Sequence, residues 1–222
     1  MRWAMQMTSG LVLYGVILFI AAGRLNWMAG WAYLGLNATA QILTTIVLVP
    51  RQPGMLVERS KVRQGTKQWD RFLAPAVALI GPFAIMVTAG LDARFAWSPQ
   101  VQNGLWLAGL ILAFCCQMFV LWAMSSNPFF STTVHIQAER SHAVTNSGPY
   151  MRVRHPGYLG AFLFGLVAPI ALTSWWAYVP ALLTNLLIIV RTKLEDSTLQ
   201  QELPGYAEYS ASVRYRLFPG IW

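Results

Sequence analysis

The charged residues of this 222-residue chain are confined to short stretches that separate long uncharged segments. No charged residue lies between Arg2 and Arg24, and positions 30–49, 72–90 and 103–126 are uncharged as well. Apolar segments of about 20 residues match the helix length that crosses a ~30 Å bilayer core. Since backbone polar groups must be satisfied within lipid, the pattern predicts an all-α, polytopic transmembrane helical bundle.

The composition agrees with this fold class. Hydrophobic residues make up 56% of the chain and charged residues only 11%, whereas soluble domains average about 25% charged residues. The first apolar segment lacks a small-residue cleavage site after a short apolar stretch, so we interpret it as a retained helix rather than a signal peptide.

The uncharged run 157–190 is too long for one membrane-spanning helix, because it would reach roughly 51 Å at 1.5 Å per residue. Polar and aromatic residues at 173–176 interrupt it, and Pro180 follows. We therefore expect a tight helical hairpin with arms at roughly 157–172 and 176–190. Together with the four earlier segments, this predicts about six membrane segments.

The basic residues predict the orientation of the bundle. With six helices both termini lie on one side, and that side then collects every Lys and Arg except Arg24 and Arg94. Because cytoplasmic loops are enriched in Lys and Arg, we expect both termini and the large loops 50–71 and 127–156 to be cytoplasmic. The formal net charge of +8 fits contact with anionic membrane lipid better than nucleic-acid binding, since no basic–aromatic platform is evident.

Polar and Gly/Pro-rich sequence is concentrated in the second half of the chain. We expect residues 1–126 to form a transmembrane scaffold of four spans and residues 127–222 to form the functional half, with an amphipathic C-terminal tail. All three histidines lie in the second half.

The stretch 148–160, "GPYMRVRHPGYLG", is the densest polar cluster of that half. Pro156 suits the first turn of a helix, which places His155 at a helix N-terminus where backbone N–H groups are unpaired. Arg152 and Arg154 add positive charge. The cluster is either an anion-receiving corner or an interfacial anchor for lipid phosphates.

A second cluster follows the hairpin in "RTKLEDSTLQQE" at 191–202. Arg191 and Glu195 are four residues apart and share a helix face, whereas Asp196 lies about 100° around the helix. The hairpin brings this helix next to the Arg/His corner, so opposite charges converge over an apolar cavity. Such a site suits a zwitterionic ligand with a flat base. The plain alternative is a solvated juxtamembrane helix with surface ion pairs.

The segment between these elements and the fourth span contains "VHIQ" at 134–137. His135 and Gln137 alternate with apolar residues, so in an extended segment they would point the same way. The two cysteines, Cys115 and Cys116, form no CxxC motif and have no Cys/His spacing typical of zinc ligands, so we predict no metal site.

These motifs resemble the isoprenylcysteine carboxyl methyltransferase family of integral membrane enzymes. "GPYMRVRHPGYLG", the hydrophobic hairpin, "RTKLED", "LPGYAEY" and "VRYRLFPGIW" carry the resemblance, which covers 127–222. The family shares its Arg-His-Pro-x-Tyr-x-Gly and paired-acid motifs with phospholipid N-methyltransferases. This chain has Glu195-Asp196 where the family pattern has two glutamates.

The resemblance implies S-adenosylmethionine as the cofactor and a methyltransferase that acts on a lipophilic acceptor entering from the bilayer. It implies an active site on the cytoplasmic side of what we expect to be the inner or plasma membrane of a prokaryote. The implied cofactor-binding residues are His135, Gln137, Gly148, Tyr150, Arg154, His155, Pro156, Tyr158, Glu195 and Asp196, and the implied catalytic residues are Arg191 and Glu195.

Within this interpretation, Arg154 and His155 are expected to hold the cofactor carboxylate, and Glu195 and Asp196 its ammonium or ribose. Arg191 would orient Glu195 or contact a carboxylate acceptor. The acceptor stays open between an isoprenylcysteine-type carboxylate, a small thiol and a lipid. Two other functions remain alternatives, an NADPH-dependent membrane reductase for sterol-like lipids and a non-enzymatic membrane scaffold.

Overall fold

A computed structural model of the protein describes residues 2–55 and 65–222. Residues 56–64, which contain Arg59, Lys61 and Arg63 of the predicted basic loop 50–71, lie outside the described residues. All regular secondary structure in the described residues is helical. Six long helices are α1 (Arg2–Ala22), α2 (Met28–Arg51), α3 (Asp70–Phe95), α4 (Asn103–Ser126), α5 (Pro156–Ala171) and α6 (Tyr178–Glu202), and a short α7 (Tyr206–Ser212) follows.

Within the described ranges, α2, α3 and α4 are long and apolar enough to cross a membrane. Two shorter apolar helical segments, Ser9–Ala22 and Pro156–Ala171, accompany them. The bundle is therefore that of a polytopic helical membrane protein, and the count of six spans and their orientation stay predictions. The fourth predicted segment, 103–126, coincides with α4.

The predicted hairpin is present, and its second arm runs without a break into the helix predicted over 191–202. α5 ends at Ala171, and α6 begins at Tyr178 and continues as one helix to Glu202. The Arg/Glu/Asp cluster therefore lies on the same rigid helix as the second arm. Leu203, extended, and Gly205, with a φ of 81°, then end this helix and lead into α7.

The helix contacts close into a ring. α1 packs against α2 and α3, α2 packs against α4, α4 against α5, α5 against α6, and α6 against α3. One hydrophobic cluster, which includes Leu18, Tyr33, Met86, Ala113 and Leu172, joins all six helices. Asp92 near the end of α3 holds the hairpin turn between α5 and α6, because Ser98 and Ser174 both donate hydrogen bonds to its carboxylate.

Glycines allow α4 and α5 to approach closely. A Cβ at Gly160 would lie 2.5 Å from Val120 Cγ2, and a Cβ at Gly109 would lie 2.7 Å from Ile170 Cγ2. Small residues at helix contacts are typical of membrane bundles, where close packing drives association. The absence of a side chain at Gly160 therefore allows α4 to pack closely against α5.

Helix α3 contains a π-helical segment, Ala76–Ile80, directly after Pro75. Proline has no backbone N–H to donate, so the regular hydrogen-bond ladder is disturbed at this point. Such π-helical turns are often found at functional sites because they redirect side chains. In this protein, Val77 and Ala78 of the π segment face the cavity described below.

Candidate functional site

A cavity of about 370 Å³ lies at the end of the ring where α3 begins and α6 ends. Its volume falls in the range of about 300–1,000 Å³ that is usual for small-molecule sites. Helices α3, α4, α5, α6 and α7 and the segment 127–150 form its walls. The helical lining residues are Val77, Ala78, Pro82, Val120, Gly157, Tyr158, Ala161, Arg191, Glu195, Leu199, Tyr206 and Tyr209.

The two ends of the cavity differ in chemistry. Val77, Ala78, Val120 and Ala161 lie one to two turns inside their helices and give an apolar wall. Ala78 is also solvent-exposed although it belongs to a membrane-length helix, so the cavity reaches the outer surface of α3 there. The other end is lined by polar and aromatic residues, namely Asn127, His135, His142, Thr145, Tyr150, Tyr206 and Tyr209.

Glu195 lies between these two ends. Its Oε2 accepts a hydrogen bond from the Tyr158 hydroxyl at 2.5 Å, which links α6 to the first turn of α5. Its side chain is half-buried, in contrast to the fully buried Asp196 beside it. Glu195 is thus a carboxylate held by one phenol and accessible from the cavity.

Arg191, one turn before Glu195, is fixed by a carboxylate from the first half of the chain. Its Nε donates to Asp70 Oδ1 at 2.7 Å, and its Nη2 donates to Asp70 Oδ2 at 3.1 Å and to the Thr132 carbonyl at 2.7 Å. Its Cζ lies 5.2 Å from the centre of the Tyr158 ring, within cation–π distance. Tyr158 therefore contacts both charged residues of this face.

Asp196 is the centre of a separate buried network. Arg154 binds it through two hydrogen bonds of 2.8 and 3.0 Å, and Arg216 and the Tyr206 hydroxyl donate at 2.8 and 2.9 Å. His155 Nε2 lies 3.2 Å from Oδ1. Burial alone would raise the pKa of Asp196, but hydrogen bonds from His155 and Arg154 outweigh it and hold the pKa below its usual range.

The same network attaches the C-terminal tail to the start of α5. The backbone N–H groups of Arg154 and His155 donate to the carbonyls of Tyr215 and Arg216 at 2.9 and 3.0 Å. Arg154 Nη1 also donates to the Val213 and Arg214 carbonyls, both at 3.0 Å. With its donors used in this way, Arg154 positions the tail and adds positive charge at the cavity wall.

The segment 127–150 supplies a wall that is held by its own hydrogen bonds. Gln137 is buried, and its side chain donates to the Phe129 carbonyl at 2.7 Å and accepts from Arg140 at 2.6 Å. The His142 ring packs on Phe129 with ring centres 4.6 Å apart. Burial, and then the nearby charges of His135 and Arg140, lower the pKa of His142 to about 4, so its ring is neutral at pH 7.

Some of the site residues predicted from the sequence line the cavity, and others do not. His135, Tyr150, Arg154, His155, Tyr158, Arg191 and Glu195 line the cavity. Gln137, Gly148, Pro156 and Asp196 do not line it. Gly148, with a φ of 58°, approaches Ser126 and shapes a turn. Pro156 begins α5, as the sequence predicts.

Three residues that contribute to the site have no role in the sequence-based prediction. Asp70 holds Arg191, whereas we expected Arg191 to orient Glu195. Tyr206 and Arg216 complete the shell of Asp196. For Asp70, the only signal in the sequence is that it is an acid two residues before the uncharged segment 72–90.

Comparison with known protein families agrees with this geometry. Residues 107–201 match the family described as the isoprenylcysteine carboxyl methyltransferase (ICMT) family. The match covers somewhat less than half of the chain, and over this segment the chain is similar to the ICMT family. Its members are methyltransferases that use S-adenosylmethionine, and the chain is an enzyme of this type. No curated protein matches the chain. Asp70, Tyr206 and Arg216 lie outside the matched segment.

The residues of the cavity fit S-adenosylmethionine. Glu195 offers an accessible carboxylate for an ammonium group or a ribose hydroxyl, and the aromatic and aliphatic walls suit a flat base. In the described part of the chain, no group of three or more His, Cys, Asp and Glu residues has the arrangement to hold a metal ion.

Proposed function

We propose that this enzyme methylates a lipophilic acceptor whose apolar part occupies the Val77–Ala78–Val120–Ala161 end of the cavity. The observation that supports this proposal is the continuity of the cavity, which joins an apolar wall inside α3, α4 and α5 to Glu195 and Arg191. A water-soluble cofactor and a membrane-dissolved acceptor can then meet in one cavity from opposite ends.

At the polar end, we assign cofactor binding to Glu195 and to the walls formed by His142, Leu199, Leu203 and Tyr206. Glu195 would bind the ammonium or a ribose hydroxyl, because its carboxylate is accessible and is already oriented by Tyr158. Arg154 and His155 would act on the cofactor carboxylate by their charge and location. Asp196 would contribute indirectly, since its oxygens are engaged by the chain itself.

When bound, the cofactor would supply an activated methyl group on a sulfonium: the acceptor nucleophile would bond to the methyl carbon in line as the carbon–sulfur bond breaks, and S-adenosylhomocysteine would leave. The chain then has to hold two reactants in contact and exclude water from the cavity. The closed ring of helices and the attached C-terminal tail serve this purpose. A carboxylate or thiolate acceptor needs no proton acceptor, whereas for an amine acceptor Glu195 would take the proton.

An anionic acceptor of the isoprenylcysteine-carboxylate type fits the site best among the candidates. Arg191 is buried, and Asp70 and Thr132 engage its Nε and Nη2, while its Nη1 has no hydrogen bond to a described residue. A buried guanidinium edge at a cavity wall favours a carboxylate. We place the cavity on the cytoplasmic side of the membrane, following the distribution of Lys and Arg.

The test is ligand-induced stabilisation of the purified protein in detergent. S-adenosylhomocysteine should raise the melting temperature, and NADPH should not, because a ligand stabilises only the protein that binds it. Glu195→Gln should remove most of the shift, while the control Glu202→Gln, on the exposed end of the same helix, should keep it. No shift in the unmodified protein contradicts the proposal.

The acceptor class is tested with a labelled methyl group. Labelled S-adenosylmethionine is supplied with an S-prenylated N-acetylcysteine, a short alkyl thiol or a membrane lipid extract. Base-labile label on the prenylated cysteine supports the carboxylate acceptor, since methyl esters are hydrolysed by base and thioethers are not. Label only in the thiol or the lipid fraction rejects the carboxylate assignment.

A further inference from the structure

The buried pair of Asp70 and Arg191 has a consequence for ligand selection that depends on the proposed binding of S-adenosylmethionine in this cavity. Asp70 is fully buried at the first turn of α3, and its carboxylate accepts from the Val134 N–H at 2.6 Å as well as from Arg191. Arg191 lines the cavity and Asp70 does not. Any effect of Asp70 on a ligand is therefore exerted through Arg191.

The charges of the site balance. Apart from the histidines, the described charged groups of the cavity wall and of the two buried networks are Arg154, Arg191 and Arg216 against Asp70, Glu195 and Asp196. Removing either member of the Asp70–Arg191 pair leaves a net unit charge in a poorly solvated region. Such a charge acts strongly on ligands, because water screens it little.

The cofactor and its product differ in the charge on the sulfur atom. S-adenosylmethionine carries a sulfonium, and S-adenosylhomocysteine is the neutral thioether with the same amino acid and nucleoside groups. The ratio of their dissociation constants therefore measures the electrostatic potential near the sulfur and is insensitive to the shared contacts.

We propose that Asp70 is a positioning and charge-balancing residue that neutralises Arg191 and so keeps the cavity selective for a sulfonium cation over its neutral product. Arg191 provides a donor edge for an anionic acceptor, and Asp70 prevents its charge from repelling the cofactor that must react with that acceptor. The residue lies outside the ICMT-matched segment 107–201, so the first half of the chain takes part in ligand selection.

The experiment measures dissociation constants of both ligands by calorimetry on the full chain in detergent. Asp70→Asn keeps an oxygen for the Val134 N–H but leaves the Arg191 charge unbalanced. It should weaken S-adenosylmethionine binding about tenfold or more relative to S-adenosylhomocysteine binding, since at an effective dielectric constant near 20 a unit charge about 12 Å from the sulfonium already changes the ratio about tenfold.

Two further variants separate charge from structure. Arg191→Gln leaves the charge of Asp70 unbalanced, so it should change the ratio in the opposite direction and favour the sulfonium. The double variant Asp70→Asn/Arg191→Gln is neutral again and should restore a ratio close to that of the unmodified protein. A role in folding alone gives losses that are equal for both ligands and that accumulate in the double variant.

The matched control is Asp92→Asn. Asp92 lies on the same helix and is 2% exposed, but it is 22 residues from Asp70, about 33 Å along the helix. It removes a buried carboxylate without affecting the cavity, so it should lower the melting temperature and leave the ratio unchanged.

The outcomes are distinguishable. If the unmodified protein binds neither ligand, the proposed function fails and this inference fails with it. If the unmodified protein binds both and the ratio is the same in Asp70→Asn and in Arg191→Gln, the proposed function stands and the role of Asp70 is rejected. Should Asp70→Asn not accumulate as folded protein, the opposite shift in Arg191→Gln decides the question alone.

Discussion

Tyr158 on α5 donates a hydrogen bond to Glu195 on α6, and the same ring lies against the guanidinium of Arg191. One phenol thus contacts both a carboxylate and a cation that line the cavity. The contact also ties the first turn of α5 to the cytosol-directed end of α6 that we propose.

Tyr158→Phe should weaken S-adenosylhomocysteine binding about tenfold while the protein remains folded. The ring still packs on Arg191, but the hydrogen bond to a charged group, about 1.5–3 kcal/mol, is lost and Glu195 gains freedom. Calorimetry checks the affinity. Tyr178→Phe, at the hairpin turn, is the matched control, and an equal loss of affinity in both variants contradicts the assigned role of Tyr158.

Asp196→Asn should destabilise the fold rather than only weaken ligand binding. The change leaves Arg154 and Arg216 without their counter-charge, and breaking a buried pair costs about 3–5 kcal/mol. Thermal unfolding in detergent should show a large drop in melting temperature. Glu202→Gln removes only the exposed pair with Lys67, worth about 0–1 kcal/mol, and should change it little.

The contrast between Glu195 and Asp196 shows where sequence reasoning stops. The sequence places the two acids next to each other on a helix. Consecutive side chains differ by about 100° around the helix axis, so the two acids point in different directions. It does not tell which direction is the cavity. That depends on the C-terminal tail, whose Arg216 and Tyr206 surround Asp196 and leave Glu195 accessible.

The helices were predictable because lipid and backbone hydrogen bonding permit so few alternatives. The uncharged segment 103–126 is the helix Asn103–Ser126, and Pro156 begins α5. The sequence predicts a helix over 191–202, but not that this helix continues the second hairpin arm without a break, because a change from apolar to polar sequence marks only the edge of the bilayer. Asp70 was missed since its partner Arg191 is distant in sequence.

Gly160→Ala should lower stability by forcing α4 and α5 apart. The added Cβ would lie 2.5 Å from Val120 Cγ2 and 3.2 Å from Phe119 Cδ1, and overpacking of this kind costs about 1–3 kcal/mol. Gly35→Ala on α2 is the control, because its Cβ meets nothing within 4 Å and alanine favours helix. A melting temperature for Gly160→Ala as high as that of Gly35→Ala contradicts the close approach.

The protein should lose stability as the pH falls from about 6.5 to 4, in part through His142. Its pKa is lowered to about 4 in the fold, so the unfolded chain takes up a proton that the folded chain does not. The stabilisation is complete above the ordinary pKa and is lost on acidification. His142→Phe keeps the packing on Phe129 and should make the melting temperature depend less on pH over this range. An unchanged slope contradicts the assignment to His142.

The apolar end of the cavity should control the acceptor without controlling the cofactor. Ala78→Leu fills space beside Val120 and Ala161, and each added methylene displaces volume that a lipophilic chain would occupy. We expect methyl transfer to an S-prenylated N-acetylcysteine to fall about tenfold or more through a higher KM, while the dissociation constant for S-adenosylhomocysteine stays within about twofold.

Ala108→Leu supplies the matched control for this last change. Ala108 is exposed on α4 and does not line the cavity, so the same substitution there should leave KM and cofactor affinity unchanged. A loss of cofactor affinity in Ala78→Leu would mean that the cofactor also occupies the apolar end. Because the two ligands are measured separately, this result reassigns the two ends of the cavity rather than the family of the enzyme.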